Sequence, residues 1–596
     1  MNNYIKKRIL TGCLVILLLF PITTFFKLQV LDYNKYRKLA GDNSLRSIEI
    51  KAPRGIIYDR DKVPIVDNLP TYYFKIVPID IIDKNTGEIY DNFNFKLLDE
   101  VLDLDRKLIT SKVEKYNKGL EKFRPFTIKK FIDFEKKSII EEHILELPGI
   151  VFSEIPARAY VSKINLSHVL GYLRLVDVDR RAKLNHSDSL YKYSLGDVYG
   201  FSGLEKSYEH LLRGRNGAEY RLVDNRGVDH GKFNQKDGID VINGPPLVTS
   251  IDIKLQKIAE SLLSNRSGAI ICMDPTNGEI LAFSSAPDYD LKSFTGPVPQ
   301  EKWNLWNNDQ NTPLLNRVIS GTYPPGSVFK LVTAALLLDK KKEKNLHECH
   351  GSYELGSRII KCWNPLGHGK LDLKNAIKHS CNVYFYKSIE NIPYNDLIEM
   401  AFKFNFGNLV GIDIPNEKSG LIPTVDYMRK SYEYRDQYGK LIIDWARGGT
   451  KANMSIGQGE VLVTPLQIIN MINLIANNGY SFTPHLIKDK ISKKNTTNLN
   501  QSAWSYLNHS MWKVVNEKTG TGKNAYIDNA VVRGKTGTAQ NPHGDDHSWF
   551  SGYIINENLK KMSVVIMIEN GGRGSGLASK IAKELFYYFS KSNKWN

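Results

Sequence analysis

Residues 9–26 run for eighteen positions without a charge, and nothing else in the sequence restricts the fold as much. At ~1.5 Å of rise per residue, a helix of that length crosses most of a ~30 Å hydrocarbon core. Lys6, Lys7 and Arg8 precede it, a bias that keeps the amino terminus in the cytoplasm and sends the rest of the chain outward. No small-x-small cleavage signal follows, only Phe25, Phe26 and Lys27, so residues 1–31 read as a cytoplasmic tail and an uncleaved single-pass anchor, with Pro21 as a kink point. Everything downstream is therefore expected to work tethered to a membrane. A chain of 596 residues exceeds a single core, so two or three domains are expected. The 81 Lys+Arg against 64 Asp+Glu give a net charge of +17, but the basic residues are scattered, with no basic stripe and no base-reading motif. That argues against a nucleic-acid partner and leaves the charge as a general surface property.

Residues 32–240 form the first expected domain, irregular and mixed. Positions 47–78 alternate apolar and polar residues and predict strands, whereas 97–146 are rich in Lys, Glu and Leu and predict short helices. The stretch from Arg54 to Arg60 reads as a tight turn braced by an Arg/Asp pair, and 200–205 as a loop opening a helix over 206–212. Neither pairs reacting groups, so both are structural. Residues 238–249, with Gly244-Pro245-Pro246, read as a hinge, and 241–596 as the second domain. There a short amphipathic helix is expected over 255–263. Residues 269–273 and 280–283, joined by Asp-Pro-Thr-Asn-Gly-Glu, predict a hairpin within one sheet.

The chemistry is concentrated in three short motifs. Pro324, Pro325 and Gly326 break the chain, after which 328–338 is apolar and helical, so Ser327 falls on the first turn with Lys330 three residues on. Both side chains then share one face, and an amine whose pKa is depressed by burial is able to take the hydroxyl proton. Alone, Ser-x-x-Lys is a chance match and Ser an ordinary N-cap. Ser380-Cys381-Asn382 is the second candidate, Ser380 to relay a proton and Asn382 to hold a substrate amide. The third is Lys535-Thr536-Gly537-Thr538, between the strand-like stretches 530–532 and 549–555. There Lys535 supplies positive potential, the hydroxyls grip a carboxylate and Gly537 lets substrate lie against the backbone. Lys518-Thr519-Gly520-Thr521 spells the same tetrapeptide but sits in a Gly- and Lys-rich loop, where no strand edge is available to pair with substrate.

In that order, 53 and then 155 residues apart, the three motifs together are specific, and the chain resembles the penicillin-binding transpeptidases. The stretches 54–60, 200–205 and Leu212-Arg213-Gly214 are similar to the pedestal signature of class B, monofunctional members, and no residues are left for a glycosyltransferase domain. Residues 453–459, 380–382 and 411–415 are most similar to the penicillin-binding protein 2 family of cell elongation, the division type being its closest rival. The resemblance implies an α+β multidomain chain: a transmembrane helix, an irregular β-rich pedestal (dimerisation-type) domain, and a transpeptidase domain with a central antiparallel sheet flanked by helices. It implies an acyl-enzyme on Ser327 formed from peptidoglycan stem peptides, with an oxyanion hole from the backbone N–H groups of Ser327 and Thr538. It also implies inhibition by β-lactams, a membrane glycosyltransferase as partner, and a catalytic domain in the periplasm anchored to the bacterial inner membrane. A D,D-carboxypeptidase, a β-lactamase and a penicillin-sensing scaffold are the alternatives.

Cysteine use adds one more expectation. Cys13 lies in the anchor and Cys272 in a core strand, where a thiol acts as a small hydrophobe. Cys349, Cys362, His368 and Cys381 fall within 33 residues and make a closed three-thiol, one-imidazole set suited to a structural zinc ion. Steps of 13, 6 and 13 residues are wider than in a zinc finger. A Cys349–Cys362 disulfide and ligation by His350 are the competing readings. The resembling family has a zinc site of acidic, His and Cys ligands, one of them the middle residue of Ser-x-Asn. Such an ion would pin Ser380 and Asn382 beside Ser327.

Overall fold

The computed structural model describes residues 3–33, 45–83, 86–119, 121–187, 192–223, 229–233, 238–295, 298–356, 358–435, 437–438, 441–443, 449–542 and 544–592. The apolar amino-terminal run is helical over Asn3–Phe26, with Pro21 inside it, and passes into a wider turn over Lys27–Leu31. Lys7–Leu31 has a mean hydropathy of 2.4 and is the one helix among the described residues long and apolar enough to cross a membrane.

Two compact units follow from the internal contacts. The first comprises Met1–Gly55, Asn68–Arg158 and Arg213–Pro245; the second comprises Ile56–Asp67, Ala159–Leu212 and Pro246–Asn596. The division is thus not linear: 56–67 and 159–212, read from the sequence as pedestal, group with the catalytic residues.

In the first unit Leu45–Ile50 pairs antiparallel with Gly217–Val223, and Tyr72 to Ile76 pairs with Phe126–Ile132. Helices Phe95–Leu102, Arg106–Tyr116 and Phe134–Glu142 are capped by Asn94, Asp105 and Asp133, whose side chains accept the N–H groups of Leu97, Leu108 and Lys136. Phe74, Ile76, Leu98, Leu102, Ile109 and Val113 form its core. The short helices expected over 97–146 are present, and the strand Phe126–Ile132 between them is the departure from that expectation. Its buried Phe126, Ile128 and Ile132 lie an even number of residues apart on one face, and that period outweighs the helix propensity of its lysines. The hinge expected over 238–249 is also largely paired: Ile239 and Ile242 bridge to Ala218 and Arg215 in the first unit, and Leu247–Val248 pairs with Ile57–Tyr58 in the second.

The second unit is built on a five-stranded antiparallel sheet of β1 (Gly268–Met273), β2 (Ile280–Ala286), β3 (Val531–Ala539), β4 (His547–Ile555) and β5 (Lys561–Ile568), in the order β2-β1-β5-β4-β3. β1 and β2 are the expected hairpin, and β3 is an edge strand. Helix Pro465–Ala476, all twelve residues buried, packs against β1, β4 and β5. It starts with a capping box, Thr464 and Gln467 each satisfying the other's backbone N–H. Helix Leu577–Lys591 covers β4 and β5, and the expected helix near 255–263 spans Ile253–Leu262.

One ion pair, buried on its arginine side, ties the sheet to the approach of the Ser327 turn. Arg317, 1 % exposed, donates from Nε to Glu569 Oε1 at 2.9 Å and from its terminal nitrogens to Glu569 Oε2 and the carbonyls of Asn311 and Thr312. Tyr323 donates to the same carboxylate at 2.7 Å. Arg317→Ala leaves Glu569, 21 % exposed, with Tyr323 as its partner beside a void, so a loss of about 2 to 4 kcal/mol in unfolding free energy is expected. An unchanged denaturation midpoint would show that the pair carries no weight.

Candidate active site

Gly326 adopts φ +52°, and a Cβ there would stand 2.4 Å from Thr538 O, so only glycine lets this turn press against β3. Its N–H donates to Gly457 O at 2.9 Å. The chain then makes a 3₁₀ turn over Gly326–Val328, which carries half-buried Ser327, and enters helix Lys330–Asp339, eight of whose ten residues are buried, Lys330 included.

Lys330 Nζ donates to Ser380 O at 2.8 Å, Ser380 Oγ at 3.3 Å and Asn382 Oδ1 at 2.7 Å. Lys535 Nζ reaches the same Ser380 Oγ at 2.9 Å and Thr536 O at 2.8 Å. Two amines thus converge on one hydroxyl in the interior. Burial lowers the Lys330 pKa from its ordinary 10.5 to about 8, partly opposed by the sulfurs of Cys381 and Cys362. Lys535 is lowered too, first by burial and then by the Lys330 charge.

The sign of the resulting pH dependence is definite. An amine base acts when neutral, and Lys330 becomes neutral as pH rises through about 8. Acylation by a chromogenic cephalosporin is therefore expected to quicken about tenfold or more between pH 6 and pH 8 and then level off. Stopped-flow rates that stay flat or fall over that interval would contradict Lys330 as the base.

Ser380 sits at φ +52°, a left-handed conformation that costs a non-glycine residue ~1–3 kcal/mol. It closes helix Leu373–Lys378 in a Schellman turn: Ser380 N–H bonds to Ile377 O and Cys381 N–H to Ala376 O. The two lysine contacts hold it there, and helix Asn382–Ile389 begins immediately after.

On edge strand β3, Lys535 lies opposite Ser551 and Thr538 opposite Ser548. Gly537 is also closely packed within the protein: a Cβ would meet Val328 Cγ2 at 2.9 Å and Pro325 O at 3.1 Å. Its bareness admits the Ser327 turn. The Asn382 carboxamide, expected to hold a substrate amide, is engaged by Lys330 and by Lys361 O. In the loop set aside from the sequence, Lys518 is exposed, yet Thr521 accepts a hydrogen bond from the Thr536 hydroxyl at 3.0 Å and donates to Lys378 O. Gln458 Nε2 donates to Thr538 O at 3.2 Å. Thr521 belongs to the tetrapeptide set aside from the sequence and Gln458 to the family-like stretch 453–459, but neither is marked by sequence as a site residue; packing brings both beside Lys535-Thr536-Gly537-Thr538.

The four suspected metal ligands also converge. Cys349 ends strand His347–Cys349, which pairs with Gly369–Leu371, and His368 N–H bonds to Cys349 O at 2.9 Å. Cys362 follows the hairpin Ser352–Leu355/Arg358–Lys361, and its N–H bonds to Gly351 O. All four donor atoms lie within 4.8 Å of one another: His368 Nδ1 is 3.7 Å from Cys349 Sγ and 3.6 Å from Cys362 Sγ, and the sulfurs of Cys362 and Cys381 are 4.0 Å apart. Tetrahedral zinc with ~2.3 Å Zn–S bonds needs edges of about 3.6 to 3.8 Å, so the donor set fits the ion. The hydrogen bond with Cys381 pulls the Cys362 thiol below its ordinary range. All three thiols are free, and His350 lies outside the set, against Glu348.

Residues 268–587 match the Penicillin binding protein transpeptidase domain and 49–249 the Penicillin-binding Protein dimerisation domain. The chain is 28% identical to the peptidoglycan D,D-transpeptidase MrdA of Haemophilus influenzae, over 99% of this chain and 92% of that protein. Penicillin-Binding Protein (PBP2) of Helicobacter pylori, solved in a complex with MreC, superposes with a TM-score of 0.74 at 26% identity, covering 91% of this chain and 99% of that one. A chain from a structure titled for the coordination of polymerization and crosslinking by a peptidoglycan synthase complex superposes at 0.71 and 25% identity, covering 99% of both. With its three motifs gathered around one buried hydroxyl and a family match over more than half its length, the chain belongs to the penicillin-binding protein transpeptidases.

Proposed function

We propose that this chain is the membrane-anchored D,D-transpeptidase that cross-links peptidoglycan stem peptides during cell-wall elongation. The observation that carries the reading is the pair of buried amines, Lys330 and Lys535, converging on Ser380 Oγ beside the turn that bears Ser327. Ser327 Oγ attacks the carbonyl between the two terminal D-alanines as its proton passes to Lys330. The C–N bond breaks, the departing D-alanine takes a proton through Ser380, and an acyl ester remains on Ser327. An amine from a neighbouring stem then attacks that ester, forms the new amide and returns the proton to Ser327. The developing oxyanion faces the backbone N–H groups of Ser327 and Thr538, a placement favoured by the contact between the Gly326 turn and β3. Thr536 and Thr538 receive the terminal carboxylate, and Lys535 keeps the site positive. A β-lactam follows the first half of this route and stays on Ser327.

Cys349, Cys362, His368 and Cys381 are the residues to hold a zinc ion. Such an ion supplies a rigid cross-link between two antiparallel strand pairs and the Ser380 turn, and takes no part in proton or acyl transfer. The elongation role, a glycan-polymerising membrane partner and a periplasmic catalytic unit rest on the named relatives and on the basic residues before the anchor. Incubating the full chain in detergent with a pentapeptide donor and an acceptor amine is expected to yield more amide-linked product than hydrolysed tetrapeptide by mass spectrometry. Hydrolysis alone makes the protein a carboxypeptidase. A fluorescent fusion is expected along the side wall, and confinement to midcell assigns it to division.

A further inference from the structure

No step of the proposed reaction uses the stretch 453–459, yet it touches both sides of the site. Helix Thr450–Ser455 ends in a Schellman turn: Gly457, at φ +73°, donates its N–H to Met454 O at 2.9 Å, and Gln458 donates its own to Asn453 O at 3.0 Å. From this fixed backbone the turn reaches in two directions. Gly457 O accepts from the N–H of Gly326, the residue before Ser327, at 2.9 Å, and the half-buried Gln458 carboxamide donates from Nε2 to Thr538 O at 3.2 Å. Both flanks are anchored on the nucleophile's own segment. The Thr333 hydroxyl, on the Lys330 helix, donates to Ser455 O at 2.7 Å, and Val463 exchanges both backbone hydrogen bonds with Tyr323.

The direction of the Thr538 carbonyl is informative. β3 is an edge strand, and in an antiparallel strand the N–H and C=O of one residue point to the same side. Thr538 O faces Gln458 and the Gly326 turn, so the Thr538 N–H also leaves the sheet on the side of Ser327.

We propose that Gln458 is a positioning residue for the oxyanion site: through Thr538 O it holds the Thr538 N–H at a fixed separation from the Ser327 N–H, which the same turn holds through Gly326. The inference rests on the transpeptidase reading above. Negative charge builds on the substrate carbonyl oxygen only as the tetrahedral intermediate forms, so a displaced N–H slows acylation and leaves the first, non-covalent encounter nearly unchanged. Alanine at 458 removes the donor, and glutamate sets a carboxylate oxygen against a carbonyl oxygen.

Stopped-flow acylation of the full chain in detergent by a chromogenic cephalosporin separates the two quantities. Gln458→Ala is expected to lower the limiting acylation rate about tenfold, less than the ~10²–10³-fold cost of losing an oxyanion donor outright, and to change the non-covalent dissociation constant by less than about twofold. Affinity for an acylaminoboronic acid, whose tetrahedral adduct with Ser327 Oγ places an oxygen in the same site, is expected to fall by a similar factor. Gln458→Glu is expected to be slower still near neutral pH. Its deficit against wild type at equal pH is expected to narrow towards about pH 5, as the carboxyl gains the proton it needs to donate, a recovery that a merely structural role would not give. Equal acylation rates and boronate affinities in wild type and Gln458→Ala overturn the proposal and leave the transpeptidase reading standing, as does a loss confined to the dissociation constant. A wild-type chain that never acylates overturns both. Where Gln458→Ala does not fold, a Gln458→Glu deficit that stays flat with pH overturns the proposal.

Discussion

Ser327→Ala is expected to abolish covalent labelling by a fluorescent penicillin, and Lys330→Met to slow it by about 10² to 10⁴-fold. The first loss is complete because no other hydroxyl takes the nucleophile's place: Ser380 Oγ already accepts from two amines, and Thr536 and Thr538 hydroxyls are bonded to Thr521 and to Gly574 N–H. The second is large because the Lys330 amine, lowered to about 8, is poised to take a proton near neutral pH, and methionine fills the space without a base. Lys518→Ala is the matched control, removing the lysine of an identical tetrapeptide from an exposed position, and labelling should persist. Melting curves separate chemistry from folding, since Ser327 is half-buried on a turn and its truncation leaves little void. Labelling of a folded Ser327→Ala protein would overturn the assignment.

Stripping metal is the second large perturbation. Protein purified anaerobically is expected to carry one zinc per chain, and chelation or Cys381→Ser to lower the melting temperature and slow penicillin acylation together. Zinc binding is worth ~10–16 kcal/mol in isolated zinc-finger peptides, an upper bound for a site inside an already packed domain. The coupling to acylation follows from the chain itself. Cys381 adjoins Ser380, whose left-handed backbone is strained, and Asn382 accepts from Lys330. Releasing Cys381 lets the Schellman turn relax and moves both partners of the base. Zinc-free protein with a Cys349–Cys362 disulfide would refute the metal site, as would a chelated protein that melts and acylates unchanged.

Both perturbations act on groups visible in the linear chain, and the reason is that each motif is locally encoded. Pro324-Pro325-Gly326 ahead of an apolar run forces a turn and then a helix, so Ser327 and Lys330 share a face whatever surrounds them. Asp274 to Glu279 between two apolar stretches closes the β1–β2 hairpin, and strand-forming residues around Lys535 set it apart from Lys518. The anchor helix needs only its own hydropathy.

What tertiary structure alone decided are the relations between segments far apart in sequence. Gly537 faces Val328 because β3 packs against the 3₁₀ turn, and Thr521 reaches Thr536 because its loop returns over the sheet. Ser380 takes a glycine-like backbone angle under the pull of two lysines, 50 and 155 residues away. Phe126–Ile132 is a strand because Tyr72 to Ile76 offers it a partner. The three thiols and the His368 imidazole meet because two antiparallel strand pairs fold onto one helix end. Propensity and period act over a few residues, whereas burial and amine–hydroxyl geometry depend on which surfaces the whole chain brings into contact.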